Sequence, residues 1–118
     1  MSKEYDIKDR TYSFAQRVLE IVAMLPKIPE CEIIRKQLTK AGTSVGANVE
    51  EADGALSKKD FINKMGIARR EAKESRYWLR LISGRYIEEE KIKSDINEAN
   101  EIKNILSSII DNTKKINR

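Results

Sequence analysis

The clearest structural pattern in the chain lies between Ser57 and Ile82, in the segment SKKDFINKMGIARREAKESRYWLRLI. Seven of its positions alternate in steps of four and three residues: Phe61, Met65, Ala68, Ala72, Ser75, Leu79 and Ile82. This heptad spacing places all seven side chains on one face of a single long helix. Because only Ser75 is polar, the pattern predicts that this face packs against other helices.

Cap signals predict that this helix covers residues 58–83. Ser57 and Asp60 form a capping-box-like pair at its start, where the serine hydroxyl can accept from a backbone amide of the first turn. Gly84 predicts its end, because glycine readily takes the left-handed conformation that often terminates a helix.

The same spacing predicts three further helices, at about residues 10–25, 30–56 and 88–115. Asp9 is the predicted N-cap of the first. Pro26 and Pro29 separate the first helix from the second, because proline lacks an amide donor and clashes with the preceding turn.

Glycines in the second predicted helix indicate close packing. Each glycine lowers helix propensity by roughly 1 kcal/mol relative to alanine. Gly42 and Gly46 therefore predict a close approach of another backbone, whereas Gly54 could instead mark the end of the helix.

Short connections predict the topology. Loops of a few residues make consecutive helices antiparallel neighbours. The sequence therefore predicts an all-α, up-down-up-down four-helix bundle, formed as one domain over residues 1–118.

Composition excludes several kinds of chemistry. The chain has no histidine, which removes Ser-His and Cys-His nucleophile pairs and the Glu-x-x-His ligands of di-iron bundles. Its single cysteine, Cys31, excludes an internal disulfide and favours a reducing cytoplasm. No segment is apolar and long enough for a signal peptide or a membrane span. We expect no catalytic residues, metal, cofactor, small-molecule substrate or membrane partner.

Positive charge is concentrated in the third helix. Between Ser57 and Arg85, nine basic and three acidic residues give a net charge of +6, against +4 for the whole chain. Phosphate binding is one interpretation, since several cations displace the counterions of a nucleic acid. The alternative is a solvated face or ion pairs with neighbouring helices. The predicted nucleic-acid contacts are Arg69, Arg70, Lys73, Arg76 and Arg80.

Polar residues also fall near the predicted seams. Asn48 and Ser75 occupy seam positions, and Glu51 lies one turn beyond Asn48. We interpret Asn48, Glu51 and Ser75 as a structural polar core that fixes the helix register. A buried site for a small ligand is the alternative.

Apolar side chains off the seam indicate a further contact. Tryptophan and tyrosine are favoured in subunit interfaces. A wide core stripe, or cover by the first helix, is the alternative. Stacking of Tyr77 and Trp78 on bases is a third option, although no RNP-like motif accompanies them. The predicted interface residues are Ile67, Tyr77, Trp78 and Leu81.

Three motifs resemble a known family, the four-helix bundle proteins related to the 23S rRNA intervening-sequence proteins of bacteria. They are TSVGANVEEA at residues 43–52, SKKDFINKM at 57–65 and EAKESRYWLRL at 71–81. Many relatives read Ser-Ile-Pro-Ala-Asn-Ile-Ala-Glu-Gly where residues 44–52 of this chain read SVGANVEEA. Glycine therefore replaces proline at Gly46, which points to one subgroup.

The resemblance implies a left-handed antiparallel bundle that is often assembled as a ring-like homopentamer. A related bundle is the accessory protein of diversity-generating retroelements, a basic pentamer thought to engage nucleic acid. We therefore expect a non-enzymatic, homo-oligomeric accessory or scaffold protein that contacts RNA or DNA non-specifically, with ribosomal RNA as one candidate. The alternative is a protein–protein interaction module with no nucleic-acid role.

Overall fold

Four α-helices form the structure, a computed structural model that describes the backbone of residues 3–116 and the side chains from Ile7 onward. The helices are α1 (Lys3–Ala23), α2 (Pro29–Asp53), α3 (Lys58–Ile82) and α4 (Glu89–Lys115). Within residues 3–116 there is no β-strand, only one isolated bridge in the α3–α4 turn. The predicted all-α four-helix fold is confirmed, and the predicted domain 1–118 extends two residues beyond this range at each end.

Side-chain pairs show that neighbouring helices are antiparallel. Lys8 near the start of α1 pairs with Asp53 at the end of α2, at 3.0 Å. Lys64 in the second turn of α3 pairs with Glu51 near the end of α2, at 3.1 Å. Lys58 at the start of α3 donates to the carbonyl oxygen of Ile116, just beyond the end of α4. Helix α1 also packs against α4, which closes the ring of four helices.

The heptad faces meet along the axis of the bundle. All of the α3 seam is buried except Phe61, which is half-buried and packs against the core. Leu38, Leu79, Ile102 and Leu106 are fully buried in the core. Each such side chain stabilises the fold by about 1.5–3 kcal/mol relative to exposure. This continuous apolar core holds α3 in a fixed rotation about its axis.

Helix α1 begins earlier than the predicted start at about residue 10. It starts at Lys3, so Asp9 lies inside the helix and its prediction as N-cap is wrong. Ile7 and Thr11 are both buried and extend the seam of Phe14 and Val18 backward in the same steps. Thr11 fits this apolar seam because its hydroxyl donates to the carbonyl oxygen of Ile7 at 2.8 Å.

Helices α1 and α2 approach each other closely at the two interior glycines of α2. A Cβ atom at Gly42 would lie 2.7 Å from Cγ2 of Val18. One at Gly46 would lie 3.2 Å from the backbone oxygen of Thr11. The predicted close approach is therefore confirmed, and α2 ends at Asp53, just before Gly54.

No helix among the described residues is both long enough and apolar enough to span a membrane.

Candidate functional site

Helix α3 is the platform on which the basic side chains stand. At its start the Ser57 hydroxyl accepts a hydrogen bond from the Asp60 amide at 3.0 Å, as the capping box predicts. At its end the chain turns through Gly84, whose φ of 78° suits glycine and strains other residues. Both ends are thus fixed, and the buried seam sets which flank of the helix faces outward.

A polar groove runs between α3 and α4. Its volume is about 510 Å³. The residues that line it are Gly66, Arg69, Arg70, Lys73, Lys103, Asn104 and Ser107. Four of these are cationic and none is a carboxylate, so the groove attracts anions.

The groove brings together three of the five predicted nucleic-acid residues. Arg69 reaches Ser107 through Nη1 to Oγ at 3.5 Å, the upper limit for a hydrogen bond. Arg70 lies 3.7 Å from the Glu71 carboxylate, but its side chain is 70% exposed. Lys73 forms no ion pair within the described part of the chain. These cations are therefore largely available to a ligand.

The other two predicted residues lie outside the lining of the groove. Arg76 is half-buried, and its Nε atom has no hydrogen-bond partner among residues 3–116. Arg80 is exposed and lies seven residues beyond Lys73 on the same helix. The five cations therefore form a row along α3 whose first three members share the groove with α4.

Three acidic residues of α4 pair with α1 and not with this row. Arg10 of α1 binds Glu98 at 2.6 Å and Glu101 at 2.9 Å. Hydrogen bonds to Glu98 and then Glu101 raise the pKa of Arg10. Arg17 binds the buried Asp95 carboxylate through Nε at 3.1 Å to both oxygens. The α1–α4 contact thus engages these carboxylates and leaves the α3 cations without them.

Gly66 is the one glycine among the described residues that line the groove, and it has open space around it. A Cβ atom built there would meet nothing within 4 Å, unlike those at Gly42 and Gly46. Gly66 lies well inside α3, where glycine costs about 1 kcal/mol relative to alanine. Packing within the described chain therefore gives no reason for a glycine at this position.

The predicted polar core does not form as one network. Ser75 is buried and donates to the Glu71 carbonyl oxygen at 2.8 Å. Asn48 is half-buried and donates to the Ser44 carbonyl oxygen at 2.8 Å. Each bond stays within its own helix. The prediction is wrong for Glu51, which is on the surface, where it pairs with Lys64 of α3.

The predicted interface residues lie on the outer side of α3, with different degrees of exposure. Tyr77 is 55% exposed and Leu81 is 43% exposed. Trp78 is half-buried against the core, and its indole donates to Glu74 at 3.2 Å. The rings of Tyr77 and Trp78 meet edge to face, with centroids 5.0 Å apart. Ile67 is half-buried.

Two residues of the groove, Gly66 and Lys103, are not among the site residues predicted from the sequence. Lys103 was missed because its position depends on how α4 is rotated against α3, which one helix pattern does not fix. Gly66 is unusual in the sequence, because it is a glycine inside a predicted helix and far from either cap. Only the structure shows that it lines the groove.

Cys31 is completely buried. Burial raises the pKa of its thiol, which favours the protonated form. Among the described residues no group of three or more metal-ligating side chains is placed to hold a metal ion.

Comparison with known proteins gives a family. The family described as 23S rRNA-intervening sequence protein matches residues 3–108. A solved structure from Bacteroides thetaiotaomicron, described as a protein of unknown function from the S23 ribosomal protein family, is 39% identical with a TM-score of 0.83. The match covers 93% of this chain and 99% of that one. Among curated proteins none matches significantly. The chain therefore belongs to the 23S rRNA-intervening sequence protein family.

Proposed function

We propose that this protein is a non-enzymatic accessory or scaffold protein whose α3–α4 groove binds the backbone of nucleic acid, with ribosomal RNA as the leading candidate. The observation that carries the proposal is the set of four cations, from two helices, around a groove whose described lining contains no carboxylate. The family name adds a connection to ribosomal RNA genes.

Binding of this kind is electrostatic and largely independent of sequence. Lysine and arginine on a helix surface contact phosphates, which carry no base information. Arg69, Lys73 and Lys103 together would account for about a 20- to 40-fold loss of affinity between 50 and 200 mM salt, the lower value applying to a single strand. Strong salt dependence is therefore the expected signature.

The test is a comparison of two variants with equal charge. In the first, Arg69, Lys73 and Lys103 are replaced by glutamine. In the control, three exposed lysines near or on α2 are replaced by glutamine: Lys27, Lys36 and Lys40. We measure affinity for a mixed-sequence RNA at 50 and 200 mM salt. The groove variant should lose most of its affinity and reduce the salt slope by about 2–3, whereas the control should bind nearly as the wild type.

Three outcomes contradict the proposal. No binding by the wild type at 50 mM salt would remove it. Equal loss in both variants would mean that net charge, not the groove, attracts RNA. Unchanged binding in the groove variant would place the contact elsewhere. In the first case the alternative, a protein–protein interaction module, becomes the better explanation.

Self-association is a second proposal, carried by the exposure of Tyr77 and Leu81 on one turn of α3. Large apolar side chains that stay exposed near each other are typical of interfaces. A homo-oligomer, for which the family resemblance suggests a pentamer, would present several grooves to one RNA. Linked sites raise the overall affinity through effective concentration.

A further inference from the structure

We infer that Gly66 is a binding residue of the α3–α4 groove. Without a side chain at this position, the backbone of a nucleic acid can approach α3 more closely than a larger residue would allow. This inference rests on the proposed function of the groove. It adds a binding residue that charge alone does not identify.

The first argument is steric. A Cβ at Gly66 has open space around it, so the chain gains nothing in its own packing by omitting one. Glycine is the least favourable helix residue after proline, so its use here opposes the stability of α3. Glycine in such a position is typical of a site where another backbone comes close.

The second argument is position. Gly66 lines the same groove as Arg69, Arg70 and Lys73, which follow it within two turns of α3. Lys103 faces this segment from α4. A phosphate seated over Gly66 would therefore have cations both along one helix and across the groove.

The third argument concerns the ligand. None of the described residues that line the groove is aromatic, and the polar groups there include hydroxyl, amide and cationic donors. Bases of single strands are usually held by stacking on aromatic rings. The groove lacks that feature, so its chemistry suits the phosphodiester backbone and not the bases.

The experiment adds a side chain at position 66 without changing the charge of the groove. We compare Gly66→Ala and Gly66→Leu with a control, Asn63→Leu, at an exposed α3 position outside the groove lining. The probe is an RNA duplex of about 20 base pairs, whose bases are already paired. Thermal unfolding, solution mass and affinity at 50 mM salt are measured for each protein.

Stability and binding should move in opposite directions. Gly66→Ala should raise the melting temperature by about 3–5 °C, because alanine favours the helix. It should weaken RNA binding roughly threefold to tenfold, as loss of one contact would. Gly66→Leu should weaken binding more than tenfold. The control should bind as the wild type does.

Several results would overturn the inference. Unchanged duplex affinity in both Gly66 variants, with the wild type still binding, would refute it and leave the proposed function intact. Binding of a single-stranded RNA but not of the duplex would show that bases are required. A change of solution mass without any effect on RNA binding would assign Gly66 to contact between subunits. No binding by the wild type would refute the proposed function and this inference together.

Discussion

Gly42 occupies an interior position of its helix, as Gly66 does, yet its surroundings are the opposite. A Cβ at Gly42 would lie within 3.0 Å of three Val18 atoms, including the Val18 Cβ. Rotation of the valine side chain does not move its Cβ, so relief requires α1 and α2 to separate. The glycine is therefore set by packing between these two helices.

Replacing Gly42 with alanine should destabilise the protein by about 2 kcal/mol. Overpacking of this kind costs up to about 3 kcal/mol, and the gain in helix propensity returns about 1 kcal/mol. Urea unfolding measures the change. The double variant Gly42→Ala/Val18→Ala should lose less stability than the two single variants added together, because Val18→Ala removes the two closest methyl contacts and Gly42→Ala fills part of the space that they leave. Strictly additive losses would contradict the proposed contact.

Cys31 should react slowly with a thiol reagent in the native protein. Its side chain is buried and its pKa is raised by that burial, so both access and thiolate are lacking. We expect labelling at pH 8 to be slow and to become rapid in denaturant. Rapid labelling of the native protein would show that the start of α2 opens readily.

Within the described chain, more ion pairs join α1 and α4 than any other two helices: Arg10 with Glu98 and Glu101, and Arg17 with Asp95. Arg17 places its guanidinium on Asp95, whose side chain is only 10% exposed. Removing one partner from such a pair leaves a charge with poor solvation. The Arg17 side chain is itself 36% exposed, so solvent screens part of the interaction.

Arg17→Met should therefore lower the free energy of unfolding by about 1–2 kcal/mol, which is less than the loss expected for a fully buried pair. In a double-mutant cycle that combines Arg17→Met with Asp95→Asn, the two residues should show a coupling free energy of about 1 kcal/mol in unfolding. The exposed pair Lys8 and Asp53, replaced as Lys8→Met and Asp53→Asn, is the matched control and should show no measurable coupling. Equal coupling in both pairs would mean that burial of Asp95 has no special role.

How far the sequence predicts the helices depends on the kind of signal. The bounds of α3 were predicted almost fully, because the Ser57 cap and the seam to Ile82 both act locally. The start of α1 was missed because Thr11 is polar, although its hydroxyl bonds within the helix and lets it continue the seam. The row of cations on α3 was also visible in the sequence.

Relations between helices were harder to predict. Arg17 and Asp95 lie 78 residues apart, and nothing local marks them as partners. The same holds for Lys103, which enters the groove only through the rotation of α4. Glu51 was placed in the core because heptad spacing identifies a face only approximately. Such errors arise where the answer depends on how one helix is turned against another.

If the proposed function holds, the oligomeric state sets how many grooves one RNA can contact. The outer surface carries two comparable apolar pairs: Tyr77 and Leu81 on α3, and Tyr12 and Leu19 on α1. Only the α3 pair belongs to the predicted interface, next to Trp78. The α1 pair, 62% and 50% exposed, therefore offers a control of matched chemistry.

Tyr77→Ser/Leu81→Ser should lower the solution mass toward that of one 13.6 kDa chain, as measured by light scattering at micromolar concentration. Loss of two central apolar contacts removes much of the energy that holds an interface together. Tyr12→Ser/Leu19→Ser should leave the mass of the wild type unchanged, near five chains if the assembly is a pentamer. The α3 variant should also bind RNA more weakly, since its grooves are no longer linked. A wild-type protein that is already monomeric would contradict self-association. Avidity would then play no part in RNA binding. The charge-matched groove variants would still test whether the groove binds RNA.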